Sequence, residues 1–293
     1  MRIAVVGATG QLGAAVVHEC SSRHDVAAFD RAALDITDPV KVTSEMKRVA
    51  PEVIINCAGY NKVDAAEDHP VEALRANAFA VRALARAARA RGAALVHYSS
   101  DFVFDGTATA PYTEEDRPNP LSVYAASKML GEWFAADAPA AYILRVESLF
   151  GRAPDGGPVK GSVAAILGAL QSGATAKAIE DRTVTPTYVI DAARATRQLV
   201  ERRPPAGIYH CVNSGRCTWL ELAREAARLL GVEPRIEPVR HADLHLRAAR
   251  PQYCALSNEK LRSIGIDMPS WRDALERYVV TGHGDIPVSP RNS

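Results

Sequence analysis

The first half of the chain alternates short apolar runs with longer stretches in which apolar residues recur every three or four positions. Unbroken or period-2 apolar runs fit strands, and a 3.6-residue period fits helices. The pattern predicts strands over 2–7, 25–30, 52–58, 93–99 and 141–146. Helical spacing lies between them and is clearest over 70–91, where Leu74, Ala78, Val81 and Ala85 repeat. Alternation of this kind builds a parallel sheet covered by helices, joined by right-handed crossovers. The expected fold class is α/β, a doubly wound parallel sheet with ligands at the carboxyl ends of its strands.

The pattern weakens after Gly151. Asp155-Gly156-Gly157-Pro158 reads as a loop, followed by helical stretches over 188–202, 218–230 and 271–280 and short strands such as 208–212. The division expected is a first domain over 1–150, rejoined by about 183–205, and a smaller α+β substrate-binding lobe over 151–293. The last eight residues, 286–293, hold two prolines and are expected to fray.

Composition narrows the function. A chain of 293 residues with 47% apolar content buries roughly 70% of its unfolded surface, enough for a core without staples. Thirty-five basic residues against 34 acidic ones leave no excess field for a polyanion, so no nucleic-acid partner is expected. No segment approaches the roughly 20 apolar residues of a membrane span, and the start lacks a signal peptide's apolar region. The expectation is a cytoplasmic protein without a membrane partner. Cys20, Cys57, Cys211, Cys217 and Cys254 are scattered singly, which suits reduced structural thiols. No metal site is expected.

The first strand runs into Gly7-Ala8-Thr9-Gly10-Gln11-Leu12-Gly13 and then into a helical pattern. At such a junction Gly7 allows a tight turn, Gly10 lets backbone N–H groups approach a pyrophosphate, and Gly13 allows close helix-to-sheet packing. This places an NAD(P) site on Gly7, Gly10, Gln11, Leu12 and Gly13. Asp30, 17 positions beyond Gly13, ends the second strand where a carboxylate accepts hydrogen bonds from ribose hydroxyls. It favours NADH, whereas Arg31 could pair with the 2′-phosphate of NADPH, so both cofactors stay open. Asp35 and Ile36 lie farther along the same loop, beside the expected adenine pocket.

Tyr124 and Lys128, four apart in a helical segment, share one face. An ammonium beside a phenol favours the phenolate and would bring its pKa toward the working range. At the end of the fourth strand, Ser100 offers a hydroxyl to a substrate carbonyl as charge develops there. His97 within that strand reads as a core histidine.

These motifs resemble the extended short-chain dehydrogenase/reductases, whose first domain is a Rossmann fold, and more narrowly the dTDP-4-dehydrorhamnose reductase family. The resemblance rests on Gly7-x-x-Gly10-x-x-Gly13, Leu34-Asp35-Ile36-Thr37-Asp38-Pro39, the Pro51 to Ala58 run, Val63-Asp64-x-Ala66-Glu67 and Asn77. It continues through Tyr98-Ser99-Ser100-Asp101-x-Val103-Phe104-Asp105-Gly106 and Tyr124-x-x-Ser127-Lys128-x-x-Gly131-Glu132, and through Thr185-Pro186-Thr187, Thr218-Trp219 and Arg250-Pro251 in the second lobe.

The resemblance implies a catalytic triad of Ser100, Tyr124 and Lys128. NADPH or NADH would reduce the C4 ketone of a dTDP-4-keto-6-deoxy-L-hexose, Tyr124 would protonate the oxygen, and Lys128 would also hold the nicotinamide ribose. Ala58 would lie beside the cofactor and Asn77 would buttress the site. Ser100, Asp101, Lys62, Glu147 and Arg250 are the residues expected to meet substrate, Arg250 and Lys62 through its phosphates. The partner implied is a nucleotide sugar, with a homodimer left open. The family usually has Thr where Ser100 stands, and its Trp after the fifth strand gives way here to Glu147 or Ser148. Related epimerases and dehydratases use the same Tyr and Lys. Dehydratases add an acid pair beside the catalytic hydroxyl, whereas here a single Asp101 follows Ser100. The regulatory subunit of methionine adenosyltransferase also resembles these reductases without catalysing reduction, so a binding module is the remaining alternative.

Overall fold

The computed structural model describes residues 1–280; the segment 286–293 lies outside them. From the N-terminus run β1 (Arg2–Val6), α1 (Gln11–Ser21), β2 (Asp25–Phe29), α2 (Pro39–Val49), β3 (Val53–Asn56), α3 (Val63–Asp68), α4 (Pro70–Leu74), α5 (Ala80–Arg91) and β4 (Ala94–Ser100). After a long loop come α6 (Val123–Ala135), β5 (Ala140–Val146), β6 (Leu149–Phe150), α7 (Ser162–Gln171), β7 (Ala176–Ile179), β8 (Thr183–Val184) and β9 (Thr187–Tyr188). The chain continues with α8 (Val189–Arg202), β10 (Gly207–His210), β11 (Cys217–Thr218), α9 (Trp219–Leu230), β12 (Ile236–Val239), α10 (Glu259–Ser263) and α11 (Trp271–Val280).

The main sheet has the order β10-β5-β4-β3-β1-β2, with every pairing parallel. β1 and β3 are buried along almost their whole length because helices cover both faces. One face packs on α2, α5 and the end of α6 through Val42, Met46, Val81, Leu84 and Ala135. The other packs on α1 and α8, and the same core continues through Trp219, Leu222 and Trp271 of the C-terminal part of the chain. The connections reverse direction between β1 and β3, the point at which sheets of this kind take ligands beyond the carboxyl ends of their strands.

Two features depart from the sequence pattern. The strand expected over 208–212 within the second lobe is β10, which pairs with β5 from Gly207↔Tyr142 to His210↔Arg145 and extends the main sheet. The crossover through α8 returns the chain there, a long-range event that local periodicity does not encode. The helix expected over 70–91 is interrupted by a π-helical turn, Arg75–Phe79. One extra residue per turn widens the backbone there without removing the apolar repeat. Among the described residues, no helix is long and apolar enough to cross a membrane.

Candidate active site

The glycine-rich turn links β1 to α1 beside this reversal. Gly7 has φ +78°, and a Cβ there would come within 2.7 Å of Ala58 N. A Cβ on Gly13 would lie 2.0 Å from Gly7 O. Both positions therefore require glycine: Gly7 holds the turn against the end of β3, and Gly13 seats α1 on the turn. Gly10 caps α1 with no side-chain acceptor and no acidic residue in the first turn. The first N–H groups, with the helix dipole behind them, are thus suited to receive an anion. The Gln11 amide donates to Gly151 O at 2.8 Å, and the Leu12 side chain lies in the core. Neither side chain is therefore available to a ligand, and only their main chain could meet one.

At the end of β2, Asp30 accepts from Ala33 N at 2.7 Å and stays part-exposed. Arg31 is solvent-exposed and 3.8 Å from Asp35. Asp35 is held below the usual carboxylate range by hydrogen bonds from Thr37. Ile36 is buried in the core, so its side chain packs against the sheet and is not presented to the loop's surface.

Ser100 ends β4. Its hydroxyl donates to Asp101 Oδ1 at 2.8 Å, accepts from Phe102 N at 3.3 Å, and interacts with the Tyr124 phenol. Tyr124 and Lys128 project from α6, started by Ser122, whose side chain accepts from Ala125 N. Both are buried, and Lys128 Nζ donates to Tyr98 O at 2.5 Å.

The expected effect of Lys128 on Tyr124 is not what the structure gives. Burial first, then the Asp101 charge, push the Tyr124 phenol up, while burial brings the Lys128 ammonium down to about 8. A shared helix face fixes proximity, but the dry surroundings penalise both charged forms.

Asn77 anchors this helix to the loop after β3. Lying within the π-helical turn, it accepts from Tyr60 N at 2.8 Å, donates to Tyr60 O at 3.0 Å and donates to Ser127 Oγ at 2.9 Å. Ser127 Oγ in turn donates to Tyr124 O at 2.7 Å. Gly131 lets α6 press against the same turn, since a Cβ there would lie 2.2 Å from Asn77 O. His97 is a buried core residue whose Nδ1 lies 3.2 Å from Asn56 Nδ2.

The residues expected to meet substrate are distributed differently. Arg250 turns its fork onto Asp64, at 2.8 and 2.7 Å, so the fork expected for a phosphate faces a carboxylate. That contact brings Asp64 down to about 2. Lys62 stands exposed at the start of α3. Glu147 is only 1% exposed, accepting from Thr185 N at 2.7 Å. A carboxylate oxygen of Glu147, one of Asp101 and the Cys254 thiol lie within 4.8 Å of one another. The second carboxyl that does not follow Ser100 in sequence therefore stands beside Asp101 in space.

Sequence reasoning assigned no role to Arg182. It is buried against this cluster, donates to Cys254 Sγ at 3.3 Å, and lies 5.3 Å over the Phe102 ring. The segment carrying Arg182 meets the one carrying Cys254 through Thr183 N to Gln252 O and Cys254 N to Thr183 O, both near 3 Å. No local pattern signals a pairing between segments 72 positions apart.

A family model described as the RmlD substrate binding domain matches residues 1–283. A dTDP-4-dehydrorhamnose reductase of Streptomyces griseus is 36% identical over 92% of this chain and 90% of its own length. A protein of Streptomyces antibioticus named as a probable dTDP-4,6-dihydroxy-2-methyloxan-3-one 4-ketoreductase is 35% identical over 94% of this chain and 93% of its own. Among solved structures, a dTDP-4-dehydrorhamnose reductase of Bacillus anthracis in complex with NADP superposes with a TM-score of 0.90 at 32% identity, covering 96% of this chain and 99% of that one. With the glycine turn, the Ser, Tyr and Lys cluster and matches of this length in hand, the chain belongs to the RmlD substrate binding domain family, that of the dTDP-4-dehydrorhamnose reductases.

Proposed function

We propose that the protein is an NADPH- or NADH-dependent reductase of the C4 ketone of a dTDP-linked 4-keto-6-deoxy sugar, converting dTDP-4-dehydro-L-rhamnose to dTDP-L-rhamnose. The observation that carries this reading is the convergence of Ser100, Tyr124 and Lys128 at one end of the parallel sheet. The dinucleotide turn opens at that same end.

The turn at Gly7, Gly10 and Gly13 fits a dinucleotide: it leaves N–H donors and no side chain in the path of a pyrophosphate. Ala58 would line the same site, and Asp30 and Arg31 would meet the adenosine ribose and any 2′-phosphate. When bound, the cofactor supplies hydride to the ketone carbon. Ser100 offers its hydroxyl to the ketone oxygen, and Tyr124 delivers a proton to it. A phenol pushed above its ordinary pKa is protonated at neutral pH, the form a reductase needs before turnover. Lys128 places an ammonium beside the nicotinamide ribose and offsets negative charge as the phenol gives up its proton. Asn77 and Ser127 fix the helix that carries both groups.

The intact Ser100, Tyr124 and Lys128 set favour an enzyme over a regulatory binding module. The Glu147 and Asp101 carboxyls are the observation that favours a second enzyme reading, elimination of water from a dTDP-sugar by a related dehydratase.

The experiment follows NADH and NADPH absorbance separately as purified protein meets dTDP-4-keto-6-deoxy-L-lyxo-hexose made in situ. Ketone-dependent oxidation yielding dTDP-L-rhamnose supports the reductase and identifies the cofactor used. Conversion of dTDP-glucose to its 4-keto-6-deoxy product without added reductant would replace it with the dehydratase.

A further inference from the structure

Behind Ser100 the structure buries two carboxyls and one guanidinium, Asp101, Glu147 and Arg182, all less than a tenth exposed. Each carboxyl keeps an oxygen with no partner, Asp101 Oδ2 and Glu147 Oε1. Their other oxygens are committed, to Ser100 Oγ and to Thr185 N. With both carboxyls ionised, this dry cluster would carry an uncompensated negative charge; with one proton bound it is neutral. Like charges in low dielectric do not ionise together, and such a pair titrates as a unit.

From this geometry, and resting on the reductase reading above, we propose that Asp101 and Glu147 hold one shared proton and return it through Ser100 to Tyr124 after each reduction. Tyr124 loses its O–H proton to the ketone oxygen and becomes a phenolate. The Ser100 hydroxyl proton moves to that phenolate, Asp101 supplies a proton to Ser100 Oγ, and Glu147 supplies one to Asp101. The net change is one proton lost by Glu147 and one regained by Tyr124. A proton from water restores Glu147 after product leaves.

The net transfer runs from a carboxylic acid to a phenolate, whose phenol burial pushes above its ordinary value near 10. Burial, opposed by Arg182, brings Asp101 up to about 6, while burial and the Asp101 charge hold Glu147 well above the usual carboxylate range. Both carboxyls are therefore raised, which favours one proton held by the pair, with Glu147 at the far end of the chain. The other titratable groups facing the pair are Cys254, Tyr124, Tyr253 and Cys217, all kept neutral because burial weakens their acidity. Ser100, Asp101 and Tyr124 form the inner links; Glu147 acts through them and is a positioning and relay residue.

The test compares wild type with Glu147→Gln in rapid mixing of the NADPH-loaded enzyme with the keto sugar. Glutamine keeps the size and the contact to Thr185 N but has no proton to give. Expected is a burst of oxidation equal to one turnover per site, followed by a steady rate at least tenfold below wild type. Glu147→Asp should restore part of the steady rate. Equal loss of burst and steady rate, or no loss in either, overturns the relay. An infrared spectrum of wild-type protein reads the proton without turnover. The carbonyl stretch of a neutral carboxylic acid at pH 7, missing in Glu147→Gln, is expected, and its absence from wild type overturns the shared proton. If that band is present but no keto sugar is reduced, the reductase reading fails and the proton-sharing pair stands.

Discussion

A phenol acting as a proton donor must keep its proton until the ketone oxygen gains charge, and burial of Tyr124 beside Asp101 does this. Tyr124→Phe removes only the transferable proton. It should lower kcat by about 10²–10⁴-fold, with NADPH affinity and the circular dichroism spectrum unchanged; an active Phe variant would contradict the assignment. Lys128 titrates in the opposite sense, with burial bringing it from an ordinary value near 10.5 to about 8. Its ammonium is therefore lost as pH rises through about 8, and kcat/KM should fall there. Between about 8 and 10.5 the unfolded chain binds a proton that the folded chain has released, so stability rises with pH over that window. Lys128→Met should flatten both dependences, read from a rate profile and from urea midpoints at pH 7 and 10.

At the scale of elements, the site depends on α6 packing tightly against the π-helical turn. Asn77→Ala deletes the two links to Tyr60 and the one to Ser127, leaving buried polar groups unpaired. Each such group costs about 1–3 kcal/mol, and the loss should appear as a lower urea midpoint together with reduced turnover. Gly131→Ala should destabilise by about 1–3 kcal/mol, as overpacking does, since its Cβ would meet Asn77 O. The five strands that begin the sheet were legible within a residue or two, because buried parallel strands write continuous apolar runs. The glycine turn and the four-residue spacing of Tyr124 and Lys128 were legible for the same reason: their chemistry is local. The π-helical turn was not, since Leu74 before it, Ala78 within it and Val81 after it keep the apolar repeat. Arg182 and Glu147 are more remote still: their positions depend on the meeting of segments around 147, 182 and 254. The pKa of Tyr124 went the other way from the sequence expectation because spacing reveals neighbours and not the dielectric around them.

Across the whole molecule, buried ions tie the layers together. Arg145 on β5 grips Glu132 on α6 with two hydrogen bonds of 2.9 and 2.8 Å, both residues almost wholly buried. Glu132→Gln should lower stability by about 3–5 kcal/mol, since it leaves a buried guanidinium uncompensated; denaturant titration reads this directly. Glu147 has the opposite sign. Its folded-state acidity is weakened, so between the ordinary carboxylate range and its raised value the unfolded chain releases a proton that the folded chain keeps. Stability then falls as pH rises, and Glu147→Gln should raise the melting temperature at pH 8 while leaving it nearly unchanged at pH 4.

The most direct test of the central claim is to follow the hydride itself. NADPH and NADH, each carrying deuterium on the transferred position of the nicotinamide, are incubated with the protein and the dTDP-linked 4-keto-6-deoxy sugar, and the product is examined by NMR. The account predicts deuterium at C4 of the sugar from at least one cofactor, and none when Tyr124 is replaced by Phe. A product unlabelled at C4 with both cofactors, or one labelled equally by the Phe variant, would contradict it.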